Sequence, residues 1–326
     1  MSATRTPVPV SFFSIPVGLL AFAGTWQVGA RLWHLRVDVA QALSLSGLAV
    51  WAVLLALYAH KWIAHRADAV AELRHPLQSS FAALVPVSSM LAAVALIPWS
   101  RELAIGLFAA ALVAQLGAGL WLNGRMWMGG RPPELVTPAL YLPGVAQSFV
   151  AATASAAFGW HPLGLLFFGV GLLAWLALES LMLQRAAVGT ALPAPLRPVL
   201  GIQLAPAVVG GGGWMALTTG VPDVFAFLLL GYGLYQALIL LRLLPWIREQ
   251  AFVPGYWAFS FGTAALPALA MRMVERGATG LVADIAPVLF VAANAVFAIL
   301  VGGTLRLLAT GALLPVIAAE PARQGG

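Results

Sequence analysis

Residues able to break a membrane-spanning backbone recur along this chain at nearly even spacing. Pro16, Pro86, Pro143 and Pro206 stand 70, 57 and 63 residues apart, and Gly262, preceded by Phe261, follows 56 residues after Pro206. Each lies inside an apolar stretch. Proline removes one backbone hydrogen bond, and its ring clashes with the preceding turn. In hydrocarbon the carbonyl so freed is tolerated only against protein or a water-filled cavity. Five breaks at one depth therefore point to five helices that bend around a shared path. The chemistry on offer is ion passage, with no bond made or broken. Small residues gather at the same depth: Ser14 and Gly18, Ser88 and Ser89, Gly144, the run from Gly210 to Gly213, and Gly262 with Thr263. They suit pore lining or close helix packing equally well.

Groups that perform covalent chemistry are scarce. There is no cysteine, which removes disulfides, thiolate metal sites and cysteine nucleophiles. The only lysine, Lys61, falls in a predicted loop, so no buried lysine offers a retinal Schiff base. Glu179 and Arg306 stand near the ends of their spans, where such groups snorkel or cap a helix. No mid-span Asp/Glu pair is present to couple sodium or protons. His60, His65, Asp68, Glu72 and His75 share the first long loop and read as a solvated, partly helical linker. No Walker loop, HExxH or GxSxG occurs. The expectation is no catalytic residue, no metal and no cofactor, which argues against an ATPase, a membrane protease or a cation transporter.

The elements that position these residues follow from composition. Of 326 residues, 61% are hydrophobic and 9% charged, and mean hydropathy is +0.93. Soluble domains run at about 45–50% apolar and about 25% charged, so the chain is an all-α integral membrane protein. Spans of roughly 20 apolar residues are predicted at 12–32, 39–60, 78–98, 101–122, 138–158, 162–183, 197–217, 223–244, 255–274 and 283–308. Short connections follow the odd spans and longer ones mostly follow the even spans. The pattern is five helical hairpins in series within a single domain, 1–326. The bulkier even spans suit a lipid-facing layer, with the odd spans inside. The first span is expected to be a retained helix, not a signal peptide.

Charge orients the hairpins. Lys61, Arg5, Arg66, Arg74, Arg125, Arg131, Arg185, Arg197, Arg242, Arg248, Arg306 and Arg323 lie on the long-loop side, which is 12 of the 17 basic residues. Arg31, Arg36, Arg101, Arg272 and Arg276 lie opposite. The positive-inside rule then places both termini and the long loops in the cytoplasm. The formal charge of +6 is thus a topology signal and calls for no nucleic-acid partner. A basic inner mouth and an uncharged path favour anions over cations.

An ordered set of short motifs carries a family likeness. They are Ile15-Pro16-Val17-Gly18-Leu19 with Trp26; His75-Pro76 and Val85-Pro86-Val87-Ser88; Tyr141-Leu142-Pro143; Leu200-Gly201-Ile202-Gln203-Leu204-Ala205-Pro206; and Tyr256-Trp257-Ala258-Phe259-Ser260-Phe261. Together they resemble the tellurite-resistance/dicarboxylate transporter family, which includes fungal malate and sulfite carriers and the slow-type anion channel of plant guard cells. The resemblance spans all five hairpins. It implies ten helices in a quasi-fivefold ring around a central pore, a homotrimer with one pore per subunit, and a bacterial inner-membrane location. It also implies that Phe261 plugs the pore, with Pro16, Gly18, Pro86, Ser88, Pro143, Gly144, Pro206, Gly210, Gly262 and Thr263 at the kinks or lining. From the residues alone, Phe261 reads first as an ordinary packed core aromatic, and only the resemblance makes it the gate; Phe259 faces elsewhere. The implied function is a channel for small inorganic or organic anions. The alternative is a C4-dicarboxylate carrier or a sulfite/tellurite oxyanion exporter.

Overall fold

In hydrocarbon every backbone N–H and C=O must find its partner within the protein, so long apolar runs become helices. The computed structural model describes residues 8–314; Arg5, Arg323 and the expectations for both chain ends lie outside the described residues. Helices α1 (Val10–Trp33), α2 (Val37–Ala64), α3 (Gln78–Leu96), α4 (Arg101–Trp127), α6 (His161–Val188), α7 (Ala194–Leu217), α8 (Val224–Ile247) and α10 (Leu281–Ala309) are long and apolar enough to cross a membrane. Ten such spans were expected. The other two segments are helical but interrupted. A 3-10 turn (Pro138–Tyr141) and a π turn (Leu142–Ala146) precede α5 (Gln147–Ala157), and a 3-10 stretch (Pro254–Phe259) precedes α9 (Ser260–Glu275). Pro138 and Pro254 open the two 3-10 turns, as suits a residue with no N–H to donate, and Pro143 lies within the π turn.

The breaks differ in kind from the expected mid-helix kinks. Regular α-helix begins at Ser14, Leu84, Gln147, Ala205 and Ser260, each time after a 3-10, π or irregular lead. Pro16, Pro86 and Pro206 lie in the first turn of the α-helix that follows, and Gly262 holds the same place in α9. Proline is welcome there, because a first-turn N–H has no intrahelical acceptor to lose. Pro143 sits within the π turn itself. The result is a change of helix type rather than a bend in a continuous helix.

Each odd helix packs on the even helix that follows it. Among themselves, α1 meets α3, α3 meets α5, α5 meets α7, α7 meets α9, and α9 returns to α1. Burial separates the two sets: the most apolar stretch of α2, α4, α6, α8 and α10 is only 22–33% buried, against 61–72% in α1, α3 and α7. Exposed Leu57, Leu120, Leu173, Leu241 and Val291 all belong to even helices, while Trp99 and Trp160 at one end and Trp121 and Trp127 at the other are exposed too. Short connections turn on residues of positive φ such as Gly159 and Gly220, a conformation that costs glycine little. Ser100 and Asp223 cap the helices that follow, accepting from Leu103 N (3.3 Å) and Ala226 N (3.0 Å).

Small residues let the odd segments touch. A Cβ at Gly18 would overlap Ser260 Oγ, one at Gly262 would stand 2.8 Å from Leu204 Cβ, and one at Gly210 would stand 2.9 Å from the Phe149 ring. Close packing, one of the two roles the sequence left open, accounts for these three glycines.

The first long connection is more than a solvated linker. Lys61 is the buried end of α2, only 4% exposed, and its Nζ donates to Glu72 Oε2 at 2.9 Å and to the Val8 carbonyl at 3.3 Å. Glu72, on the surface helix Arg66–Arg74, also accepts from Val10 N at 2.9 Å. One carboxylate thus ties α2 and the connection to the start of α1. Removing one partner of such a pair strands the other as an uncompensated buried charge. Lys61→Ala is therefore expected to cost about 3 kcal/mol, measured as a lowered unfolding midpoint of the protein in mild detergent.

Candidate permeation path

Two cavities lie among the five odd segments, and Phe261 and Val209 belong to the wall of both. The smaller, ≈ 40 Å³, is enclosed by the leading halves of the segments, including Val17, Leu84, Val145, Phe149 and Pro206. Its wall is apolar except for Ser14, Ser260 and Tyr141. The larger, ≈ 180 Å³, lies among the trailing halves towards the short-loop side. Thr25, Gln27, Ser44 and Thr153 give it hydroxyl and amide groups, and Arg31 and Arg272 give it charge.

Helical spacing aims one face of α9 at the larger cavity. Phe261, Ala265, Ala268 and Arg272 all line it, following one another at intervals of four, three and four residues, the period of a single helix face. The aromatic residues just before Phe261 are committed to packing. The Trp257 ring lies 6.1 Å from Phe297, and its Nε1 donates to Thr304 Oγ1 at 2.8 Å. Phe259 stacks 6.3 Å from Tyr256 and covers Gly201, where a Cβ would stand 2.6 Å from the ring. Phe261 has no aromatic partner among the described residues and is only half-buried.

The remaining expected site residues are distributed unevenly. Pro143 lines a separate recess of ≈ 90 Å³ on the long-loop side, beside Arg125 and Arg131. Pro16, Gly18, Pro86, Ser88, Gly144, Gly210, Gly262 and Thr263 line neither of the two central cavities. Ser88 is fully buried and donates to the Val85 carbonyl at 2.9 Å. The wall consists largely of ordinary apolar residues such as Val145 and Val209, which no motif marks. The periodicity of α9 running on from Phe261 is the one sequence signal that reaches Arg272.

Glu179 is neither snorkelling nor capping. It is 8% exposed within α6 and accepts from five side chains on four segments. The donors are Tyr141 Oη at 2.6 Å, Tyr232 Oη at 2.5 Å, Trp175 Nε1 at 3.0 Å, Gln203 Nε2 at 2.9 Å and Gln236 Nε2 at 3.3 Å. No cation pairs with it among the described residues; hydroxyl, indole and amide dipoles replace water around the carboxylate. Tyr141 also faces the smaller cavity, so this carboxylate stands one side chain behind the path. The sequence shows only two local pairs, Trp175 with Glu179 and Tyr232 with Gln236, each four residues apart on a helix. The tertiary meeting of the two pairs leaves no local trace.

Comparison with known proteins places these features in context. A family model described as a voltage-dependent anion channel, SLAC1, matches residues 7–305. The tellurite resistance protein TehA homolog of Haemophilus influenzae is 36% identical over 80% of this chain and 79% of its own length. Two uncharacterized transporters of Methanocaldococcus jannaschii are 23% and 24% identical, covering 77% and 70% of this chain and 80% and 72% of theirs.

The Glu179 cluster carries a stability prediction. Glu179→Ala removes the common acceptor of five side chains, three of them buried, and is expected to cost about 3 kcal/mol. Glu179→Gln keeps one accepting oxygen and should cost less. Unfolding midpoints in detergent should fall in the order wild type, Gln variant, Ala variant.

Proposed function

We propose a function from one premise: the chain belongs to the SLAC1 family of voltage-dependent anion channels. It is a multi-pass membrane protein of a transporter family, and we read it as a passive channel for small inorganic or organic anions, closed at rest by Phe261. The single observation that carries this reading is the position of one unstacked ring in the wall of both cavities. An ion passing an apolar constriction filled by a benzyl ring must shed water without replacement, and desolvating an unpaired ion costs many kcal/mol. Neighbouring Tyr256, Trp257 and Phe259 are held by ring contacts and Phe261 is not, so Phe261 is the ring with freedom to turn aside.

The wider architecture belongs to the same proposal. The closed order of neighbours among α1, α3, α5, α7 and α9 supports a quasi-fivefold ring of five hairpins, ten transmembrane helices in all, with the even helices outside. Basic residues concentrate on the long-loop side, which supports a cytoplasmic position for that side and for both termini in a bacterial inner membrane. The apolar outer faces suit lipid and also contact between subunits, here taken as a homotrimer with one path per subunit. Anion selectivity follows from a wall that carries Arg31 and Arg272 and, among the described residues, no carboxylate.

A second reading is a coupled carrier for C4-dicarboxylates, or an exporter of oxyanions such as sulfite or tellurite. It has two observations in its favour: the name of the Haemophilus influenzae relative, and the Glu179–Tyr141 pair beside the smaller cavity. Proton-linked flux that saturates with substrate in liposomes would favour the carrier. Current that follows anion replacement would favour the channel.

Phe261→Ala is expected to raise anion conductance in planar bilayers about tenfold or more, equivalent to at least about 1.4 kcal/mol off a barrier, with the reversal potential still set by the anion gradient. A folded variant that conducts no better than wild type sinks the gate. Phe259→Ala should lower stability and leave conductance low. Native mass spectrometry in mild detergent should show trimers; monomers or dimers alone would overturn the oligomer.

A further inference from the structure

The arginine at the far end of the Phe261 stripe is not a loop residue that merely records topology. Arg272 lies within α9, three turns beyond Phe261, and lines the larger cavity. A guanidinium carries five N–H donors and is always charged. One of its nitrogens, Nη1, reaches the Gly212 carbonyl at 3.2 Å, and no other hydrogen bond or ion pair from Arg272 occurs among the described residues. The carboxylate nearest in sequence, Glu275, is already taken by Arg31, with Nε to Oε1 at 3.0 Å. Arg276 adds a further positive charge and is spent on the Met215 carbonyl and Thr218 Oγ1. Three guanidiniums therefore share one acid at this end of α9.

We propose that Arg272 is an anion-binding group: it holds one small inorganic anion, a halide or a planar oxyanion, in the larger cavity on the short-loop side of Phe261. An uncompensated guanidinium within a membrane-spanning segment is costly and calls for a partner. An anion from solution supplies one without closing the path. The planar fork receives an oxyanion through two parallel bonds and a halide through one or two. The cavity, ≈ 180 Å³, leaves space for water around the bound ion. Part of its hydration shell is retained and binding stays weak, as conduction demands. Arg272 thereby raises the local concentration of anions beside the ring and repels cations from it. Its part in flux rests on the channel reading above; the binding itself does not.

Two measurements test this separately. In crystals of the wild-type protein grown with bromide, anomalous density is expected within hydrogen-bonding reach of the Arg272 guanidinium. In detergent, chloride or nitrate should raise the unfolding midpoint relative to gluconate for wild type and Arg272→Lys, and should not for Arg272→Gln. Bromide absent from Arg272, together with a midpoint indifferent to the anion in wild type, overturns the site. If Arg272→Gln does not fold, the wild-type bromide experiment alone decides. In the Phe261→Ala background, Arg272→Gln should lower anion conductance about threefold or more and Arg272→Lys should retain most of it. If Phe261→Ala conducts and Arg272→Gln leaves conductance unchanged, the role in flux is wrong. If Phe261→Ala fails to conduct while bromide occupies Arg272, the channel reading falls and the site stands.

Discussion

The need to pair every backbone donor and acceptor away from water governs this molecule. The even helices meet it in the simplest way, as uninterrupted α-helices of 24 to 29 residues that show apolar side chains outward. The odd segments do not: in four of them a proline stands at or just before the start of the regular α-helix. They meet it by changing helix type, with a 3-10, π or irregular lead passing into regular α-helix, and by side chains that reach carbonyls on neighbouring segments. Ser260 reaches back to the Ser14 carbonyl at 3.5 Å, Gln147 to Ala83 at 3.4 Å and Asn123 to Pro143 at 3.4 Å. Such interrupted backbone is tolerable only when shielded from lipid, which is why these five segments lie inside.

Charge is handled under the same constraint. Lys61 and Glu72 neutralise one another at the long-loop end, and Glu179 is solvated by side-chain dipoles alone. Arg31 and Glu275 pair at the opposite end. Arg272 alone among these groups has no side-chain partner among the described residues; it lines the cavity and reaches only the Gly212 carbonyl. Of these charged groups, three sets are satisfied within the protein and one is left open. The satisfied clusters hold segments together: the Glu179 cluster alone fastens α6, α7, α8 and the lead into α5.

Much of this was legible in the sequence, and the reason differs from feature to feature. The hairpin order and the separation into inner and outer helices followed from hydropathy and from the spacing of Pro16, Pro86, Pro143 and Pro206, because both are properties of chain segments. The nature of the breaks was missed, since a proline in an apolar run looks the same whether it kinks a helix or opens one. Lys61 and Glu179 were misplaced for a common reason. Apart from Trp175, four residues before Glu179, the groups that render each harmless are 11 to 57 positions away in sequence, and a local window sees only an isolated charge near a span end. Gly18, Gly210 and Gly262 stood between two roles, and the contacts with Ser260, Phe149 and Leu204 decide for packing. Much of the wall of the two cavities is valine, leucine and alanine, residues with no chemical signature of their own.

The exposed tryptophans also act as a ruler. Trp99 and Trp121 bracket most of α4 and are 22 residues apart, about 33 Å along a helix. Trp160 lies beside the same short-loop end, and Trp127 stands about 9 Å further along α4 than Trp121. Indole rings settle at the boundary between acyl chains and headgroups, and a typical hydrocarbon core is about 30 Å thick. The outer layer is therefore matched to a bilayer of ordinary thickness, with the last turns of α4 standing in the headgroups. The regular helices of three inner segments are much shorter, 11 residues in α5 and 13 in the α-helical parts of α3 and α7, which at 1.5 Å per residue is about 17 to 20 Å. A membrane that grows thicker or thinner would pull on the outer helices first, and the inner segments would feel it through the contacts that join the two layers, such as Gly47 of α2 against Leu20, Gly171 of α6 against Phe149 and Gly233 of α8 against Val208.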